Sequence, residues 1–266
     1  MRQVRRSRSL IIRPQAWIGL VASGFVAAGV YLSVPLPAAR MAVTKTNPPH
    51  VIGAFTKAPP APPFVPRVDC SQQACLALTF DDGPSPVVTP LVLDALARHH
   101  AHATFFVVGS HVPGNEALLR RMYKDGHEIG NHSWGHPDFT TLSPDQIQQQ
   151  ILQTQAAVGA AGVPAPTLFR PPYGAVNTVV KNRVALTFAM WNIDPEDWHS
   201  KDPKQIVEKV EAAAKPGRVV DLHDIHQPTA DGLDQMLTDL QQNYQLVTFS
   251  EMFDLAPGQP GLFYGR

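Results

Sequence analysis

From Leu76 onward, short runs of apolar, β-branched and aromatic residues alternate with segments whose apolar positions recur at helical spacing. The first run predicts a strand over 76–80. Thr89, as N-cap, and Pro90, at the first helical position, predict a helix to residue 98. A run rich in Phe and Val predicts a strand over 104–108. Asn115 is expected to cap a helix to residue 123, which Gly126 closes, and 127–130 reads as a short strand. The capping box Ser143-Pro-Asp-Gln opens a helix to about residue 160. Further strands are expected over 168–169, 187–191, 219–222 and 245–249, with helices from Asp202 and over 231–243. This βαβα rhythm predicts an α/β fold, a parallel sheet with its crossover helices outside. Seven or so strands favour a distorted, partly open (β/α)7-type barrel in one catalytic domain. No GxGxxG follows the first strand, which removes a dinucleotide fold.

Before residue 69 the pattern changes. Residues 1–14 hold five arginines and read as a basic cytoplasmic flank. Residues 15–39 carry no charge and predict a signal anchor or a signal peptide. Residues 40–68 read as an extracytoplasmic linker, with seven prolines between Asn47 and Pro66. The folded domain is placed at 69–256 and a C-terminal tail at 257–266. The expected protein is therefore exported, anchored facing the periplasm or cell wall, or secreted if the segment is cleaved.

Composition adds two constraints. At 44% hydrophobic, a chain of 266 residues can bury one sizeable core. Net charge is zero, but nine Lys and Arg precede the first acidic residue, Asp69, leaving 13 basic against 22 acidic residues beyond. That sign argues against nucleic acid as a partner. The two cysteines, Cys70 and Cys75, read as a disulfide in an exported protein.

The chemistry-bearing residues follow strand ends: Asp81 and Asp82, then His132 and His136, Arg170, the DPEDW segment, and His223 with Asp224. In barrels and open α/β sheets, active sites assemble at that edge. His132 and His136, four apart, are expected on one side of a helical turn. Two histidines and one carboxylate with open positions describe a catalytic metal site. His99, His100 and His102 read as a solvated helix end and strand start. Asp81 and Asp82 pose a difficulty, because adjacent strand residues point to opposite faces and like charges oppose one another's ionisation.

The segments TFDDGP, HSWGH, RPPYG, DPEDW and LHD occur in this order over residues 70–255. They resemble the five motifs of the polysaccharide deacetylases, carbohydrate esterase family 4, also called the NodB-homology domain. The resemblance implies that Asp82, His132 and His136 hold one divalent metal, zinc ahead of cobalt, nickel or iron. Asp81 would be the general base and Arg170 its ion-pair partner. The Tyr173 N–H would stabilise the oxyanion, and His223 would be the general acid, tuned by Asp197. Trp198 would wall the substrate pocket. The implied substrate is an N-acetylglucosamine polymer, peptidoglycan foremost, deacetylated by a monomeric catalytic domain. An O-deacetylase and a glycan-binding protein with impaired catalysis are the alternatives. One position departs from the family: Asp221 stands where an aliphatic residue usually lines the acetyl pocket. On that reading, Asp221→Leu is expected to raise deacetylation.

Overall fold

The structure is a computed structural model that describes residues 68–265. The predicted basic flank, the membrane segment and all but the last residue of the linker lie outside the described residues. Among the described residues, no helix is long and apolar enough to cross a membrane.

Strand β1 (Cys75–Asp81) is buried along its whole length. It pairs in parallel with β6 (Val219–His223), with β2 (Thr104–Val107) along its carboxyl half and with β7 (Gln245–Val247) along its amino half. Strands β3 (Glu128–Asn131), β4 (Leu168–Phe169), β5 (Thr187–Ala189) and β8 (Leu262–Phe263) continue the sheet beyond β2 in that order. The chain after β5 then meets β6: Ile193 bridges Val220, and the Asp221 N–H donates to the Ile193 carbonyl at 2.9 Å. The sheet is thus curled into a distorted, incomplete barrel, as the alternation of elements predicted.

Side-chain alternation divides each central strand between two environments. Leu76, Leu78 and Phe80 of β1, with Val220 and Leu222 of β6, pack against helices α1 (Thr89–Arg98), α5 (Pro203–Ala213) and α6 (Gln227–Leu240). The intervening residues face the barrel interior. Ala77 and Val219 join an apolar cluster there with Phe106, Leu168 and Ala189. Further along the same face come Thr79 opposite Asp221, then Asp81 opposite His223. The interior therefore turns from apolar to ionisable within two residue pairs, toward the strands' carboxyl ends.

Helices α2 (Glu116–Lys124) and α3 (Pro144–Ala160) fall where the sequence places them. The capping box of α3 forms: Ser143 Oγ accepts the Gln146 N–H, and Gln146 Oε1 accepts the Ser143 N–H. Several expectations need correction. Val88, not Thr89, is the N-cap of α1, because the Thr89 hydroxyl is engaged by the Asp224 carboxylate and the Ser85 N–H. Helix α6 starts at Gln227, with Pro228 in its first turn. The short helices α4 (Thr178–Arg183) and α7 (Phe249–Phe253) were not anticipated, and α7 takes the end of the strand expected over 245–249. Residues 257–266 are no simple tail, since they supply β8, which pairs with β5 while Phe263 packs on Phe253. Two-residue strands and one-turn helices are too short to show a period. The two cysteines, Cys70 and Cys75, form a disulfide that ties the segment before β1 to the strand's first residue.

Candidate active site

Asp81 is the last residue of β1 and points inward by the alternation just described. Asp82 should point outward, but its φ of 73° places it in the left-handed region, and the chain reverses. Both carboxylates consequently face one site. The bend also needs Gly83, where an added Cβ would lie 2.3 Å from the Asp224 carboxylate oxygens.

His132 and His136 lie on an irregular loop after β3, not on the helical turn expected from their spacing. Ser133 and His136 both have positive φ, and this folding brings the two imidazoles within 4.9 Å, centroid to centroid. His132 Nε2 lies 3.5 Å and His136 Nε2 3.3 Å from Asp82 Oδ1. Of the seven non-glycine residues with positive φ among the described residues, Asp82, Ser133, His136 and Tyr173 all belong to this site. Such backbone persists only where its surroundings over-determine it, and it clusters at functional sites.

These three residues fit a divalent cation. Their ligand atoms lie within 4.8 Å of one another. Asp82 Oδ1 is buried without a hydrogen-bond partner, a costly state for a carboxylate oxygen unless a cation meets it. His132 Nδ1 lies 2.8 Å from the Arg170 carbonyl, which can only accept, so Nδ1 carries the hydrogen and Nε2 presents its lone pair. Burial pushes His132 down to about 3 despite the pull of Asp82, and burial also lowers His136, so both rings are neutral at physiological pH.

Arg170 is fully buried just after β4. Its Nη1 donates toward Asp81 Oδ1 at 2.8 Å, Asp221 Oδ1 at 2.6 Å and Thr79 Oγ1 at 2.7 Å, and Nε donates to the Ala189 carbonyl. Its guanidinium carbon lies 4.2 Å from the Phe106 ring centroid. Phe106 fits there because Gly130 has no Cβ, which would fall 2.3 Å from the ring. Burial raises Asp81 to about 6, against the lowering pull of Arg170 and His223. Asp221 was expected to line an acyl pocket. The structure places it as the second carboxylate on Arg170, only 4% exposed and held well above the usual carboxylate range, first by burial and then by Asp81.

His223 ends β6. Asp197 accepts from its ring Nδ1 at 2.7 Å and from its backbone N–H at 2.8 Å, while the Thr229 hydroxyl donates to the same carboxylate at 2.6 Å. Burial opposes the imidazolium, but the Asp197 hydrogen bond and the charges of Asp197, Asp221 and Asp81 together lift His223 to about 10. A neutral imidazole pair and a cationic imidazolium thus stand in one site.

Tyr173 occupies a 3-10 turn after Arg170, with φ 59°, its ring 4.6 Å from that of His136. Trp198 lies beside Asp197 and is 52% exposed, which removes core packing as its role. Asp224, singled out only by position, is buried against Gly83, and burial raises it to about 7. Thr79, Thr229 and His111, which contacts the Asp82 carbonyl, carried no sequence signal, since isolated Thr and His residues are common in any chain.

A family model described as polysaccharide deacetylase matches residues 69–188. The peptidoglycan-N-acetylglucosamine deacetylase PgdA of Listeria monocytogenes is 46% identical over 192 residues, 72% of this chain and 41% of that protein. The chain thus spans about two fifths of that relative's length. Among solved structures, the peptidoglycan deacetylase PdaC from Bacillus subtilis superposes with a TM-score of 0.68 at 44% identity, covering 70% of this chain and 93% of that one. A family 4 acetyl xylan esterase from Clostridium thermocellum, in complex with a cobalt ion, gives 0.65 at 37% identity, covering 70% and 97%.

Proposed function

Because this chain belongs to the polysaccharide deacetylase family, we propose that it removes N-acetyl groups from N-acetylglucosamine residues of an extracytoplasmic polysaccharide, foremost peptidoglycan, in a metal-dependent hydrolysis. The observation that carries this reading is the pairing of a cation-shaped Asp82–His132–His136 cluster with an acid–base pair, Asp81 and His223, in one buried site. A divalent ion held by Asp82, His132 and His136, zinc ahead of cobalt, nickel or iron, would polarise the amide carbonyl and acidify the attacking water.

The chain's own residues supply the rest. Arg170 engages Asp81 Oδ1, which leaves Oδ2 to accept the proton of the attacking water. The N–H of Tyr173 donates to the oxyanion as the carbonyl carbon becomes tetrahedral. His223, protonated and held by Asp197, gives its proton to the departing sugar amine; the C–N bond breaks, and acetate and a free amine result. Trp198 offers its exposed indole to the sugar. Residues 15–39 tether or export this domain, which acts as a monomer.

The test is acetate release from purified peptidoglycan and from chitin oligomers, before and after chelator treatment and with added-back zinc. Chelator-sensitive release with new amines is expected. The similarity to an acetyl xylan esterase favours O-deacetylation as a second reading, which freed hydroxyls without amines would select. Glycan binding without acetate in any arm would overturn both.

A further inference from the structure

The candidate metal ligands come from two separate loops, and one short turn joins those loops. We propose that His111, in the 3-10 turn Gly109–His111, is a positioning residue that fixes Asp82 relative to His132 and His136. The proposal rests on the reading of these three residues as metal ligands.

Toward the Asp82 segment, His111 Nδ1 donates to the Asp82 carbonyl at 2.8 Å, and the Val108 N–H donates to the Gly83 carbonyl at 2.8 Å. A carbonyl only accepts, so Nδ1 is the protonated nitrogen. The orientation of that carbonyl is the Asp82 ψ angle itself, so the bond pins the residue in the left-handed conformation that swings its carboxylate into the site. Toward the histidine loop, the N–H groups of Gly109 and Ser110 donate to the carbonyls of Ser133 and Trp134 at 2.9 and 3.0 Å. Ser133 and Trp134 lie between the two ligand histidines. Gly109 seats closely here, since a Cβ would fall 2.5 Å from Thr154 Oγ1 and 2.7 Å from the Trp134 ring. The segment 108–111 is therefore bonded to both of the loops that carry the candidate ligands.

Of these four bonds, only the one from His111 is made by a side chain. That side chain is exposed, so truncating it removes the bond without opening the core. His111→Asn places an amide N–H where Nδ1 stood and is the conservative variant.

The experiment titrates zinc into the metal-free full-length chain against a competing chelating dye, for wild type, His111→Ala, His111→Asn and Asp82→Ala, with metal-free melting curves for each. His111→Ala is expected to weaken zinc binding about tenfold, as loss of a group supporting a ligand does. Its metal-free melting temperature should match wild type, and His111→Asn should recover most of the affinity. Unchanged affinity in His111→Ala, with Asp82→Ala abolishing binding, would overturn the proposal while leaving the metal site intact. If wild type binds zinc no better than Asp82→Ala, the metal reading fails and the proposal with it. If His111→Ala also melts lower without metal, the Asn variant decides: recovered affinity supports the tie, and unrecovered affinity refutes it.

Discussion

Carboxylates are held by different means at the two ends of the barrel. At the amino end of β3, Glu128 receives the Thr104 hydroxyl at 3.1 Å, the Ser250 N–H at 3.0 Å and the Ser250 hydroxyl. All are neutral donors, and they tie β2, β3 and the start of α7 together. At the carboxyl ends, Asp81 and Asp221 share one guanidinium nitrogen, and Asp82 Oδ1 has no hydrogen-bond donor at all. Burial raises both Glu128 and Asp81, so a raised pKa does not distinguish the ends. The partners do. A carboxylate satisfied by neutral donors is a fastener, whereas one left to charges and an open oxygen is poised for a cation or a proton.

Substitutions at each end separate these roles. Asp81→Asn removes the base and is expected to lower kcat for acetate release about 10²–10⁴-fold. Arg170→Met leaves Asp81 and Asp221 buried without their shared cation, and stability in a urea titration should fall by about 3–5 kcal/mol. Glu128→Gln turns an amide toward neutral donors, so about 1–3 kcal/mol of stability is lost while kcat changes little. A Glu128→Gln protein of normal stability but collapsed kcat would erase the contrast between the ends.

The barrel, and the gathering of the chemistry-bearing residues toward the strands' carboxyl ends, were legible in the sequence because both rest on repetition. Strand–helix alternation recurs along the chain, and each motif sits at or a few residues beyond a strand's carboxyl end. What escaped was local or non-periodic. The α4 and α7 turns and β8 span too few residues to show a period. The histidine pair was read as helical from its spacing of four, but left-handed Ser133 and His136 achieve the same proximity in a loop. Asp221 was read from its neighbours in the motif. Its actual partner, Arg170, is 51 residues away, and only the register of β6 against β1, which sets Asp221 opposite Thr79, reveals that meeting.

Asp221 also gives the finest probe of the charged end. With Asp81 raised to about 6, kcat/KM should fall as pH drops through that value, because the base must be ionised; a bound cation moves this limb lower. With His223 raised to about 10, activity should fall again as pH rises through about 10, because the acid must be protonated. Asp221→Asn deletes a negative neighbour that helps hold the His223 proton, so the alkaline limb moves down. It also gives Asp81 undivided use of Arg170, which favours ionised Asp81 and moves the acid limb down as well. Asp221→Leu should shift both limbs in the same direction, since it removes the same charge. A wall of the acyl pocket would behave otherwise: Leu would raise kcat/KM at every pH, and Asn would move neither limb. Profiles of the two variants across both limbs therefore decide whether this carboxylate acts through Arg170 or through contact with the acyl group.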